Sequence, residues 1–78
     1  MTVKVKLYTV LKKYGEGKIG EEGGFIVPDR ETLEGLSFLL DIPEKMAKVY
    51  LVNGTPHEGG YVLREGDEVK ILSFIGGG

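Results

Sequence analysis

Polar and apolar residues alternate strictly over residues 2–8, "TVKVKLY", with Val3, Val5 and Leu7 facing one way and Lys4, Lys6 and Tyr8 the other. A period of two is the pattern of a half-buried strand. "TVLKKYG" then predicts a short helical turn ending at Gly15, and "GEGKIGEEGG" (15–24), with five glycines in ten residues, predicts a loop. "FIV" (25–27) predicts a second short strand, stopped by Pro28.

The period changes in "DRETLEGLSFLLDIP" (29–43), where Leu33, Leu36 and Leu40 fall at helical spacing and Leu39 widens the stripe. Asp29 or Thr32 is placed to cap this helix, and Pro43 prevents its continuation. Gly35 inside it costs about 1 kcal/mol relative to alanine, so the helix leans on tertiary packing. "KVYLVNG" (48–54) is a nearly continuous apolar strand suited to the middle of a sheet, and Asn53-Gly54 is a turn signal. A loop over 55–60, a short strand at "YVL" (61–63), a turn at "REGDE" and a last strand "VKILSF" (69–74) complete the pattern. The order β-β-α-β-β-β with one main helix predicts an α+β fold, a sheet wrapped around that helix.

Length and composition narrow the function classes. A chain of 78 residues is one domain with one small core. The formal net charge is −2, with ten basic residues spread among twelve acidic ones, which argues against non-specific nucleic-acid binding. There is no cysteine, so disulfides, iron–sulfur clusters and thiol chemistry are excluded, and a reducing compartment fits. "MTVKVKLYTV" has no apolar block of signal-peptide type, and no stretch approaches the ~20 apolar residues of a membrane span. The expected location is cytoplasmic.

Candidate chemistry is sparse. Gly15-Glu16-Gly17-Lys18-Ile19-Gly20 is a literal G-x-G-x-x-G, but it is followed by "EEGG" rather than a helix, so it reads as a flexible loop and not a dinucleotide site. The single histidine, His57, lacks the partners of a metal site or a triad and reads as a surface loop residue. Asp67 and Glu68 read as solvated turn residues. No catalytic constellation or metal site emerges, so the chain is expected not to be an enzyme and to bind no cofactor itself. If Val69 and Ile71 point inward, then Lys70, Leu72 and Phe74 point outward. If this strand neighbours the first, which carries Tyr8 on its outward side, then Tyr8, Leu72 and Phe74, with Ile75 following, predict an apolar docking patch. The chain then ends in Gly76-Gly77-Gly78, which a shuffled sequence of this composition would do about once in 200 cases.

The ordered set "VKVKLYTVLKKYG", "TLEGLSFLLDIP", "VYLVNGTP", "LREGDEVKIL" and terminal "GGG" spans essentially the whole chain. It resembles the ubiquitin-like sulfur-carrier family, whose members include the small subunit of molybdopterin synthase (MoaD) and the thiamine sulfur carrier (ThiS). The resemblance implies a β-grasp fold over residues 1–75, a mixed sheet packed on one main helix with first and last strands parallel and central, and a flexible tail at 76–78. It also implies that an activating enzyme of the ThiF/MoeB type uses ATP to adenylate the carboxylate of Gly78. A sulfur donor then converts the acyl-adenylate to a thiocarboxylate, with Gly77 completing the Gly-Gly signature and Gly76 adding reach. The implied acceptor is the large subunit of molybdopterin synthase or another sulfur-accepting enzyme. Molybdopterin-type members commonly carry Pro-Pro before the tail, where this chain has Ser73-Phe74. A thiamine-pathway carrier, a ubiquitin-like protein modifier using the same tail, and a β-grasp interaction module that never uses its carboxylate are the alternatives.

Overall fold

The computed structural model describes residues 1–73. β1 (Thr2–Leu7) and β2 (Gly24–Ile26) form an antiparallel pair with Val3 opposite Phe25, joined through a 3-10 helix (Thr9–Gly15) and the loop 16–23. α1 (Leu33–Leu39) carries the chain to β3 (Lys48–Val52), which turns into β4 (Thr55–His57); β5 (Glu68–Ser73) ends the described chain. The sheet order is β2-β1-β5-β3-β4, with β5 parallel to β1 and antiparallel to β3. The first and last strands therefore lie adjacent at the centre of a mixed sheet, which is β-grasp topology.

Strand alternation and helical period meet in one core. Val3, Val5 and Leu7 of β1, Val69 and Ile71 of β5, and Tyr50 and Val52 of β3 are buried on one sheet face. Leu33, Leu36 and Leu40 cover that face from the helix, and Leu11 of the 3-10 helix closes one end. Burying a leucine side chain contributes about 2 kcal/mol each, and that burial holds a helix far too short to be stable alone.

Several expectations need correction. Of the two cap positions the sequence offers, Thr32 is the cap and Asp29 is not: the helix begins at Leu33, the Thr32 Oγ1 accepts from the Gly35 N–H at 3.1 Å, and Arg30 sits at φ 66° in a turn. It also ends before Pro43 acts. Asp41 adopts φ 61°, its N–H donates to the Phe38 carbonyl, and the Ile42 N–H donates to the Ser37 carbonyl at 3.0 Å. That is a Schellman closure with aspartate in the place glycine usually takes. Leu39 is 38% exposed and does not widen the buried stripe.

The fourth strand is Thr55–His57, not "YVL", and His57 lies on it opposite Tyr50 rather than in a loop. Asn53 (φ 51°) and Gly54 (φ 86°) form the two-residue left-handed turn that folds β4 back on β3. Residues 61–63 contribute one isolated bridge, Val62 to Thr32, and Val62 is 49% exposed. The apolar run there serves the core through Leu63, whose N–H donates to the Glu31 carbonyl at 2.7 Å, with the partly buried Tyr61 packed against the core beside it.

Candidate functional site

The sheet has a second face, turned away from α1. Along β1 it carries Lys4 and Lys6, along β5 Glu68, Lys70 and Leu72, and along β3 Val49 and Leu51. Cross-strand register makes Lys6 the direct neighbour of Lys70, Lys70 that of Leu51, and Leu72 that of Val49. Tyr8 follows β1 with extended backbone (φ −116°, ψ 150°), and its N–H donates to the Ile71 carbonyl at 3.3 Å. That bond sets Tyr8 beside Leu72. Tyr8, Leu72, Val49 and Leu51 are all partly exposed.

Of the sequence-based site residues, Tyr8 and Leu72 are thus brought side by side. Phe74, Ile75, Gly76, Gly77 and Gly78 lie outside the described residues. The Lys6 ammonium stands 5.4 Å from the centre of the Tyr8 ring, joining the basic and apolar parts of the face through a cation–π contact. Where β2 stops, a groove of about 700 Å³ opens beside β1, with Lys4, Lys6, Lys12 and Lys70 on its lining. Glu16, Glu21 and Glu22 line it too. The G-x-G-x-x-G segment forms part of this wall. No helix follows it, and those carboxylates disfavour a phosphate.

A polar cluster sequence reasoning missed sits at the start of β5. Asp67 is only 6% exposed, not a solvated turn residue. Its carboxylate accepts from the Arg64 N–H at 2.9 Å, Asn53 Nδ2 at 3.1 Å and the Tyr61 hydroxyl at 3.1 Å. Burial opposes its charge, but these hydrogen bonds and the Arg64 guanidinium outweigh burial and hold the carboxyl below its ordinary range. Asn53 also accepts from the Glu68 N–H at 3.0 Å, so the cluster pins β5 to the β3–β4 turn. The spacing signal was present: in "REGD" the aspartate stands three residues after the backbone N–H it accepts from, closing a turn at Gly66 (φ 84°). The cluster is structural, and it sets the register of the strand that leads to the C-terminal segment.

His57 stacks on Tyr61 with ring centres 4.3 Å apart. Tyr50 shares a buried 2.8 Å hydrogen bond with Ser37, and burial raises its phenol pKa. Among the described residues no group of three or more His, Asp or Glu side chains is placed to hold a metal ion, and no helix is long and apolar enough to cross a membrane.

The sequence matches no protein-family model and no curated protein. Among solved structures, the fold matches the crystal structure of SAMP1 from Haloferax volcanii, with a TM-score of 0.70 at 17% identity over the full length of both chains. At that identity the likeness is one of fold, the ubiquitin-like β-grasp.

Proposed function

We propose that this chain is a sulfur carrier, most specifically for molybdopterin-type cofactor synthesis, that it acts as co-substrate of other enzymes, and that its working group is the Gly78 carboxylate. The observation that supports this reading is the central parallel pairing of β5 with β1. It ends β5 at Ser73, still paired with Lys48 and next to the partly exposed Tyr8, Leu72 and Val49, and the sequence that follows is Phe-Ile-Gly-Gly-Gly.

The chemistry asks little of the carrier's own side chains. The Gly78 carboxylate attacks the α-phosphorus of ATP held by a ThiF/MoeB-type enzyme, and pyrophosphate leaves. Hydrosulfide from a sulfur donor attacks the carbonyl carbon of the resulting acyl-adenylate, a C–S bond forms as the C–O bond to AMP breaks, and AMP and a proton leave. The product thiocarboxylate is a nucleophilic sulfur on a glycine tether, delivered to the large subunit of molybdopterin synthase or another acceptor enzyme. Glycines suit a tether that threads a narrow channel because they lack Cβ. Ordering each one costs about 1–2 kcal/mol, which an apolar contact at the root of the tether offsets. If a lysine amine replaced the sulfur donor, the same activated carboxylate would make the chain a protein modifier.

Exchange of labelled pyrophosphate into ATP tests the first step. The activating enzyme is expected to catalyse exchange with the full chain and not with a chain lacking Gly77-Gly78. Equal exchange, or none with either chain while an established carrier is active, contradicts the reading and favours a docking module that never uses its carboxylate.

A further inference from the structure

Asn53 carries the one side-chain amide of this chain, which has no second asparagine and no glutamine. Glycine follows it, and the pair forms the left-handed turn between β3 and β4, with φ of 51° and 86°. Both residues are exposed, and nothing lies within 4 Å of where a Cβ on Gly54 would stand. An asparagine before glycine is chemically labile, because no Cβ shields the next backbone nitrogen from the amide carbon. Attack of that nitrogen on the amide carbon closes a five-membered imide.

The fold holds the amide by both ends against this reaction. Asn53 Oδ1 accepts from the Glu68 N–H at 3.0 Å, and Nδ2 donates to Asp67 Oδ1 at 3.1 Å. The Asn53 N–H donates to the Glu68 carbonyl at 2.8 Å, so main chain and side chain alike tie the turn to the start of β5. Bringing the amide carbon onto the Gly54 nitrogen swings the side chain away from β5 and breaks both of its bonds. The lability is latent while the turn is clamped and is released when the turn opens.

We propose that Asn53 is a spontaneous deamidation site gated by the β3–β4 turn, and that its product releases the clamp on β5. The Gly54 nitrogen bonds to Asn53 Cγ as the Cγ–Nδ2 bond breaks. Nδ2 leaves as ammonia, taking the proton given up by the Gly54 N–H. Water then opens the imide: addition at Cγ leaves aspartate, and addition at the main-chain carbonyl leaves isoaspartate. Aspartate sets a second carboxylate against Asp67 where an N–H donor stood. Asp67 is ionised, its carboxyl held low partly by the Asn53 hydrogen bond, so the two like charges repel. Isoaspartate also adds a methylene to the backbone of the turn. A turn that has reacted cannot close as before, so the reaction is one-way and marks chains in which this turn has opened.

The test ages the full chain in mildly alkaline buffer and, in parallel, in about 6 M urea, and reads intact mass. Converting an amide to an acid adds about 1 Da, and with one side-chain amide present that gain reports Asn53 alone. A protein isoaspartyl methyltransferase with labelled S-adenosylmethionine marks the isoaspartate fraction. The gain is expected in urea, at least about tenfold slower in buffer, because two hydrogen bonds must first break. Labelling is expected to rise with the mass gain. The aged chain refolded from urea, and Asn53→Asp, are each expected to show a lower urea midpoint than the fresh chain. In Asn53→Asp the Asp67 carboxyl, followed by carbon NMR, is expected to titrate higher than in the fresh chain. No gain in urea, equal rates in the two arms, an unchanged midpoint in the aged chain and the variant, or an unmoved Asp67 titration would each overturn the inference.

Discussion

The Tyr8 N–H donates to the Ile71 carbonyl at 3.3 Å, extending the β1–β5 ladder one step beyond the last paired residues and setting Tyr8 beside Leu72. Neither side chain belongs to the core, so replacing them tests the face without dismantling the fold. Tyr8→Ala and Leu72→Ser are each expected to weaken binding to the activating enzyme by about 1–2 kcal/mol. Titration calorimetry measures this, and circular dichroism is expected to show an unchanged fold.

The core behaves differently. Leu36 is fully buried where α1 meets the sheet, and Leu36→Ala is expected to cost about 2–5 kcal/mol. Small domains carry about 5 kcal/mol in total, so urea unfolding should show a midpoint lowered to near zero. A loss under about 1 kcal/mol would mean that the helix is not the lid of this core.

Asp67 makes stability depend on pH. Its carboxyl titrates below the ordinary 3.8 in the folded chain, so in acid the unfolded chain takes up the proton first. Its contribution is complete above that ordinary value and is lost as pH falls through the lower, folded one. Asp67→Asn is expected to lower stability by about 2 kcal/mol at neutral pH and to flatten the acid limb of the urea midpoint against pH. An acid limb unchanged in the variant would assign the pH dependence to other carboxylates.

The Ser37–Tyr50 hydrogen bond tests the other side of the helix. Tyr50→Phe leaves the buried Ser37 hydroxyl without its partner and is expected to cost about 1 kcal/mol. In the double variant with Ser37→Ala much of that loss should be recovered, as a double-mutant cycle reads directly. Burial raises the Tyr50 pKa above 10.0, so its contribution is intact below that value and falls as pH rises through the folded pKa.

What was legible in the sequence was whatever a long period could carry. Val3, Val5 and Leu7 announce β1 by alternation, Val69 and Ile71 announce β5, and Leu33, Leu36 and Leu40 mark the buried face of α1; all eight are buried. Short elements escaped because local chemistry hid them. β4 is three residues around Pro56, held by pairing with β3 rather than by propensity, whereas the apolar "YVL" looks like a strand and makes one bridge. Phe38, which reads as apolar helix, is 77% exposed because it faces away from the sheet. Asp67 reads as solvent-facing until Asn53 and Tyr61, 14 and 6 residues distant, are brought to it. The outward face of the sheet was half legible. Alternation phased Lys4, Lys6, Tyr8, Lys70 and Leu72 outward, but only strand order and register made Lys6 and Lys70 neighbours.

The central claim is chemical and concerns Gly78. Intact-protein mass spectrometry after incubation with ATP, the activating enzyme and a sulfur source reads it directly, because exchanging one oxygen for sulfur adds about 16 Da. The account predicts that gain on the full chain, located to the C-terminal glycine by fragmentation and absent when Gly77-Gly78 is deleted. A full chain that never gains it, while an established carrier does so in the same mixture, would contradict the account.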